Sequence, residues 1–419
     1  MLAGGLPVDF PTISVHESFS APTSMYLRNL MSMDTEEMIR AQPMDAVVLI
    51  GGCDKTVPAQ LMGAASAGVP AIQLVTGSML TGSHRGERVG ACTDCRRYWG
   101  RYRAEEIDAP EIADVNNQLV ASVGTCSVMG TASTMACLTE ALGMMVAGGA
   151  SAPAVTADRV RVAERTGTTA VAMARSGLTP DRILTGHAIE NAIRVLLAIG
   201  GSTNGIVHLT AIAGRLGIDI DLAGLDRMSR ETPVLVDLKP SGQHYMEDFH
   251  AAGGMPALLR ELRPLLHLDT LTVSGRTLGE ELDAAPAPFA QDVIRPFDAP
   301  IYPVGGLAVL RGNLSDGRMS GTAAGTIVLH VTPEAAIGGP LAHVRNGDRI
   351  RLSVARREIS LLIDDAELAR RAAEHQVVRP SAERGYRKLF LATVTQADQG
   401  VDFDFLRAAQ THQTVPRKS

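Results

Sequence analysis

Apolar residues fall into short runs separated by Gly-rich turns, and the runs alternate between strand-like and helix-like patterning. DAVVLI (45–50) is a continuous apolar run of strand length, and PAQLMGAASAG (58–68) reads as the following helix, closed by glycine. VPAIQLV (69–75) is a second strand, leading into TGSMLTGSHRG. LVASVGTC (119–126) passes through a Gly-Thr-Cys turn into TASTMACLTEALGMMVAGG (131–149), a helix apolar around most of its surface and therefore expected to be buried. HAIENAIRVLLAIGG (187–201) is another helix, ended by a Gly pair, and GSTN (201–204) begins the turn into IVHLTAIAGRLG. From about residue 45 to 215 the alternation predicts layered α/β structure with short connections.

Near residue 295 the pattern changes. Pro-rich text (APAPFAQDVIRPFDAPIYP) gives way to short strand-like pieces, LAVLRG, GTIVLHV, DRIRLSV and EISLLI, punctuated by Gly, Asp and Arg. They predict a mainly β domain or barrel. A helical piece, DAELARRAAEH, then precedes what reads as an irregular tail. We expect an α/β domain over residues 1–295 and a smaller β-rich, barrel-like domain over 296–419, in keeping with a chain of 419 residues.

Composition narrows the function. Hydrophobic residues make up 45% and charged residues 20%, enough for a sizeable core. The 41 glycines exceed ordinary usage, and many follow apolar runs at turns where a backbone bends sharply or approaches a ligand. A net charge of −6 with scattered basic residues argues against nucleic acid. No apolar run has the length of a membrane span, and no secretory signal opens the chain, so a cytoplasmic protein is expected. The five cysteines (Cys53, Cys92, Cys95, Cys126 and Cys137) are an odd number, which speaks against a disulfide framework.

The most informative stretch is GGCDKT (51–56), where a thiol, a carboxylate and an amine stand together after a strand. In an open α/β sheet such a turn is where ligands bind. A thiolate suits iron or zinc and an aspartate suits Mg²⁺, so Cys53 beside Asp54 suggests two unlike metals in one pocket. Lys55 is a solvated surface lysine, a neutraliser of an anionic substrate or, if carbamylated, an oxygen ligand. Cys53 alone could equally be an inert buried thiol. Cys126 repeats the arrangement on a Gly/Ser/Thr turn whose N–H groups suit cluster sulfurs or an anion; the alternative is a cysteine without function. Cys92 and Cys95 spell C-x-x-C, but nothing completes a zinc site, and they read as incidental. Cys137 reads as core. Glu17, after the β-like FPTISVHE, is a metal ligand or a surface carboxylate. In SDGRMSGT (315–322) Ser315 is a candidate nucleophile or base and Arg318 a candidate carboxylate clamp, against a tight turn with a surface Asp–Arg pair.

Taken together, FPTISVHE, PTSMYLRNLMSMD, GGCDKTVPAQLMGAAS, SVGTCSVMGTASTMA, ENAIRVLLAIGGSTN, PSGQHYMEDFHAAGGMPALLREL, GGLAVLRGNL, SDGRMSGTAAGT and PEAAIGGPLAHVRNGD resemble one family over nearly the whole chain. It is the iron–sulfur dehydratases that include dihydroxy-acid dehydratase and the sugar-acid (aldonate) dehydratases. The resemblance implies that Cys53 and Cys126 are two of three ligands to a [2Fe–2S] cluster (alternatively [4Fe–4S]). It implies Glu17, Asp54 and carbamylated Lys55 as Mg²⁺ ligands, and Ser315 as the base, acting as an alkoxide. The implied reaction is loss of water from a 2,3-dihydroxy acid to give a 2-keto-3-deoxy acid, with the iron as Lewis acid for the leaving 3-hydroxyl.

ACTDCRRYWGRYRAEEID, DVNNQLVASVGTC and TQADQGVDFDFL look like the sugar-acid branch. The rival within the family is branched-chain dihydroxy-acid dehydratase. The resemblance further implies a C-terminal barrel like the swivelling domain of aconitase, an active site between domains, and a homodimer or homotetramer. His412 is a candidate reader of a polyol chain, with a frayed tail as the alternative. The family also carries a segment ahead of the point where this sequence begins, with the third cysteine ligand. Between GGLAVLRGNL and SDGRMSG it carries several tens of residues, including a loop whose Glu binds Mg²⁺. We therefore read the 419 residues as parts of a longer chain; the other reading is a truncated homologue that binds sugar acids without turning them over.

Overall fold

The computed structural model describes residues 1–91, 93–320, 327–374 and 380–408, with Ser18 and Ser320 described by their backbone alone. Cys92 and His412 lie outside the described residues. The first helix, α1 (Ser24–Ala41), starts at Thr23, whose hydroxyl accepts from the Met25 N–H. Strand β1 (Val47–Gly51), helix α2 (Thr56–Ala67) and strand β2 (Ala71–Val75) form a βαβ unit. The strands are parallel, Val47 beside Ala71 and Gly51 beside Val75, and a parallel pair needs such a crossover helix. Both strands and the helix fall where the apolar runs predicted them. Helix α2 is buried almost all round and carries small residues on the face it shares with α1. A Cβ at Gly63 would stand 2.8 Å from the Ser32 carbonyl oxygen, so the two backbones touch. The helix stops at Gly68, whose left-handed φ of 70° lets its N–H reach the Ala64 carbonyl.

A short hairpin, β3 (Gly82–His84) and β4 (Glu87–Val89), then packs with α3 (Thr93–Arg103) and α4 (Ala109–Leu119) around its own small core of Val89, Tyr98, Val115 and Leu119. Helices α5 (Thr131–Ala141), α6 (Ala157–Ser176), α7 (Pro180–Ile183), α8 (Gly186–Ala198) and α9 (Asn204–Gly214) follow. In α5, α8 and α9 nearly every residue is buried, polar Glu140, Glu190, Asn191 and Arg194 included. Together with α2 and β2 they hold the main core, to which Cys137 contributes as an apolar side chain. The shorter helices α10 (Leu222–Glu231), α11 (Met246–Ala251), α12 (Gly254–Glu261) and α13 (Leu278–Ala284) complete this region.

Beyond it, β5 (Leu307–Leu310), β6 (Asp316–Ser320) and β7 (Val328–Thr332) form an antiparallel sheet in that order, and β8 (Ile350–Ser353) pairs with β9 (Glu358–Leu361) as a hairpin. All four predicted strand pieces are present, and the predicted helix is α14 (Asp365–Glu374). Leu310, Leu314, Ile359 and Leu361 give this region a separate core. Among the described residues the sheets do not close into a barrel. The whole is a mixture of helices and small sheets, and no helix among the described residues is long and apolar enough to cross a membrane.

Three expectations need correcting. Residues 7–16 form no strand; FPTISVHE runs irregularly into a single 3₁₀ turn at Glu17–Phe19. SDGRMSGT is not a tight turn with a surface ion pair: Asp316–Ser320 is the central strand β6, and Arg318 is 3% exposed. Nor is the end of the chain simply irregular. Helix α15 (Gly385–Thr393) sets Tyr386 and Phe390 against Tyr26 and Phe403. Fully buried Arg215 then holds Asp402 by two hydrogen bonds of 2.7 and 3.1 Å, and Arg28 donates to the carbonyls of Gly400 and Val401. Charges that look like surface residues in the sequence are the clasp that folds this segment back onto α1 and α9.

Candidate functional site

The site begins where β1 ends. A Cβ at Gly52 would lie 1.9 Å from the Thr76 hydroxyl and 3.2 Å from Thr125 Cγ2, so the backbone there passes through a space only glycine fits. The turn then presents Cys53, Asp54 and Lys55, and the Cys53 carbonyl accepts the first helical N–H groups, from Thr56 and Val57. The second cysteine turn is pinned alongside. Thr125 pairs with the segment after β2, its N–H to the Gly77 carbonyl at 2.9 Å and its carbonyl to the Met79 N–H at 2.8 Å. Because Gly52 faces Thr125, the residues bearing Cys53 and Cys126 leave neighbouring points at the carboxyl ends of β1 and β2, the position expected for a ligand site.

Lys55 is 3% exposed and lies between two carboxylates. Its Nζ is 2.5 Å from Asp54 Oδ2 and 3.3 Å from Glu17 Oε2. Glu17 is held from its other side by the hydroxyls of Ser24 and Thr23. A buried ammonium needs such compensation, and the two carboxylates, hard oxygen donors of the kind that suit Mg²⁺, converge here on the Lys55 ammonium. Burial first, and the Asp54 charge next, push the Cys53 thiol up from its ordinary value.

Above these residues lies a cavity of about 390 Å³, and Glu17, Lys55, Thr23, Asn204, His330 and Glu334 are its polar lining. Size does not distinguish it, since a hollow of about 1050 Å³ runs beneath residues 1–14. Its chemistry does. Asn204 comes from the GSTN turn, which is tied to the cysteine side by Thr131 Oγ1–Ser202 Oγ (2.9 Å) and by the Ser202 N–H donating to Thr134 Oγ1 (3.1 Å). His330 and Glu334 come from β7 and the segment after it, and Val401 from the clasped C-terminal segment. His330 is set in the left-handed region, φ 55°, at a β-bulge: Asp316 pairs with Thr332 but Arg318 with Leu329, so two residues of β7 oppose Gly317. Such a backbone costs a non-glycine residue about 1–3 kcal/mol. Burial, with Arg318 and Lys55 nearby, lowers the His330 imidazole to about 4, so it is neutral at physiological pH.

The structure thus brings Glu17, Asp54 and Lys55 into contact and sets the Cys53 and Cys126 turns side by side. It does not bring Ser315 to them: Ser315 is buried at the start of β6, its hydroxyl without a hydrogen-bond partner among the described residues, and it is not part of the cavity lining. Arg318, one strand position from the bulge, is also outside the lining, with Nε and Nη1 unpaired among those residues. Cys95 packs against the small Val89–Leu119 core, and burial in α5 pushes the Cys137 thiol far up. Asn204, His330 and Glu334 were missed from the sequence; GSTN and PEAAIGG were the only traces of two of them.

Residues 1–281 and 314–401 match the N-terminal and C-terminal parts of the dihydroxy-acid/6-phosphogluconate dehydratase family. The chain belongs to this family, a group of hydro-lyases. Among its relatives, an L-arabinonate dehydratase of Rhizobium leguminosarum bv. trifolii is 40% identical over 495 residues, which cover 97% of this chain and 85% of the relative. A 6-deoxy-6-sulfo-D-gluconate dehydratase of Pseudomonas putida is 36% identical, covering 97% and 86%. A dihydroxy-acid dehydratase of Ignicoccus hospitalis is 33% identical, covering 95% and 88%. An alignment of 495 positions is longer than this chain of 419, so the relative has several tens of residues within the matched span that this chain lacks.

Proposed function

We propose that the protein removes water from a 2,3-dihydroxy acid, a sugar (aldonic) acid in preference to a branched-chain one, to give a 2-keto-3-deoxy acid. The observation that carries the preference is the cavity wall: among the described residues, six of the ten that line it are polar or charged, including Thr23, Asn204, His330 and Glu334 on segments other than the GCDK turn. Such groups suit a chain of hydroxyls and would be desolvated at a cost by a branched alkyl group. The higher identity to relatives named for arabinonate and sulfogluconate than to those named dihydroxy-acid dehydratase points the same way.

Glu17, Asp54 and carbamylated Lys55 would hold Mg²⁺, and Cys53 and Cys126 an iron–sulfur cluster, for which [2Fe–2S] is the assignment. The two groups would supply charge stabilisation at the substrate carboxylate and Lewis acidity at the leaving 3-hydroxyl. Asp54 and Glu17 set where the carboxylate end lies, so the polyol end extends toward Asn204, His330 and Glu334. Ser315, whose hydroxyl has no hydrogen-bond partner among the described residues, is the base this reading assigns. It would take the C2 proton as the 3-hydroxyl departs, and the resulting enol would tautomerise to the ketone. The reading also carries a division near residue 295, a swivelling barrel completed by segments the relatives have within the matched span, a homodimer or homotetramer, and a cytoplasmic location.

The test is turnover of the full-length protein, purified and assayed anaerobically, on a panel of aldonic acids and on branched-chain 2,3-dihydroxy acids, read as 2-keto acid formed. Faster turnover of an aldonic acid supports the reading. Turnover of the branched acids alone would transfer the protein to the biosynthetic branch, and no keto acid from either would leave a homologue that binds without catalysing.

A further inference from the structure

His330 is positioned at a cost that the fold itself does not need. It stands in the left-handed region on strand β7, where a glycine would be unstrained, and the bulge around it turns one residue out of the ladder. Bulges of this kind re-aim a side chain. His330 is one of the residues lining the cavity, with Lys55, Glu17 and Asn204. Its Nε2 is buried and has no hydrogen-bond partner among the described residues. A polar atom denied both water and a protein partner is a liability unless a ligand completes it. Burial first, and the neighbouring Arg318 guanidinium next, favour a neutral ring. A hydroxyl can pair with a neutral imidazole nitrogen in either tautomer, because it both donates and accepts.

Resting on the dehydratase reading above, we propose that His330 Nε2 hydrogen-bonds a hydroxyl of the bound sugar acid, on the part of the chain away from the carboxylate, and so serves as a specificity-determining residue supplied by the C-terminal sheet. The strain at φ 55° is then the cost of placing that reader.

His330→Gly separates this role from a structural one, because it relieves the strain while removing the reader. In the full-length, anaerobically prepared protein, the variant should unfold in urea at a concentration no lower than the wild type. Its KM for the preferred aldonic acid should rise about 3- to 10-fold, the range of a single neutral hydrogen bond, with kcat changed less. Affinity for an unreactive 3-deoxy aldonate, measured by calorimetry, should fall by the same factor. Among substrates each lacking one distal hydroxyl, one should lose affinity for the wild type and not for the variant, and His330→Asn, which tolerates the left-handed backbone and keeps an amide, should recover part of the loss. An unchanged KM and calorimetric affinity in His330→Gly would overturn the proposal, as would equal losses for wild type and variant across the deoxy series. Failure of the wild type to dehydrate any aldonic acid would instead refute the dehydratase reading, and it is seen before any variant is made.

Discussion

Gly52→Ala adds one methyl group at the point where the two cysteine turns meet. Its carbon would stand 1.9 Å from Thr76 Oγ1, 3.1 Å from Thr76 Cβ and 3.2 Å from Thr125 Cγ2, all below normal contact. Thr76 cannot easily yield: it is β-branched and stiff at χ1, and its N–H is bonded to the Gly51 carbonyl at 3.1 Å. Overpacking of this kind costs ~1–3 kcal/mol, and a clash with such stiff neighbours belongs at the upper end. We therefore expect urea unfolding, followed by circular dichroism, to show about 2–3 kcal/mol of lost stability, and iron retention to fall because Cys53 and Cys126 move apart. Thr76→Ala removes the atom at 1.9 Å and leaves only the 3.1 and 3.2 Å contacts. In the Gly52→Ala background it should restore about 1 kcal/mol or more, a coupling that independent sites do not show. A Gly52→Ala protein within about 0.5 kcal/mol of the wild type, or a double variant whose losses simply add, would refute the packing argument.

Asp402→Ala removes the carboxylate that buried Arg215 holds by two hydrogen bonds and leaves it Glu36, at 3.5 Å, as its remaining carboxylate among the described residues, which should cost about 3 kcal/mol and expose the segment after residue 394 to limited proteolysis; loss below about 1 kcal/mol would show the clasp to be ornamental. Burial raises Glu140 to about 7 although it accepts hydrogen bonds from the Gly148 and Ala150 N–H groups. A raised carboxyl contributes stability that is complete below its unfolded value near 4.5 and is lost as pH rises through 7. Unfolding measured across pH should therefore show the wild type losing up to about 3 kcal/mol relative to Glu140→Gln between about pH 4.5 and 7, with the difference level above about pH 8; parallel curves would contradict it.

Much of the N-terminal region was readable because its signals are local. The apolar runs and the closing glycines placed β1, α2, β2, α5 and α8, and the adjacency of Cys53, Asp54 and Lys55 pointed to the candidate site. What stayed hidden is tertiary. Nothing in GTIVLHV announces that His330 alone leaves the strand conformation, since the bulge arises from how β7 registers on β6. Arg28, Arg215 and Asp402 read as surface charges because a sequence shows charge and not the partner that neutralises it. Glu17, Asn204, Glu334 and Val401 meet around one cavity only once four distant segments are packed.

The dehydratase mechanism requires Cys53 and Cys126 to act together as ligands, and iron and sulfide analysis after anaerobic reconstitution tests that most directly. For the full-length protein we predict about two irons and two sulfides per chain, with both lost in Cys53→Ser and in Cys126→Ser while Cys137→Ser keeps them. A wild type that retains no iron, or a Cys126→Ser protein that retains it all, would contradict the central claim.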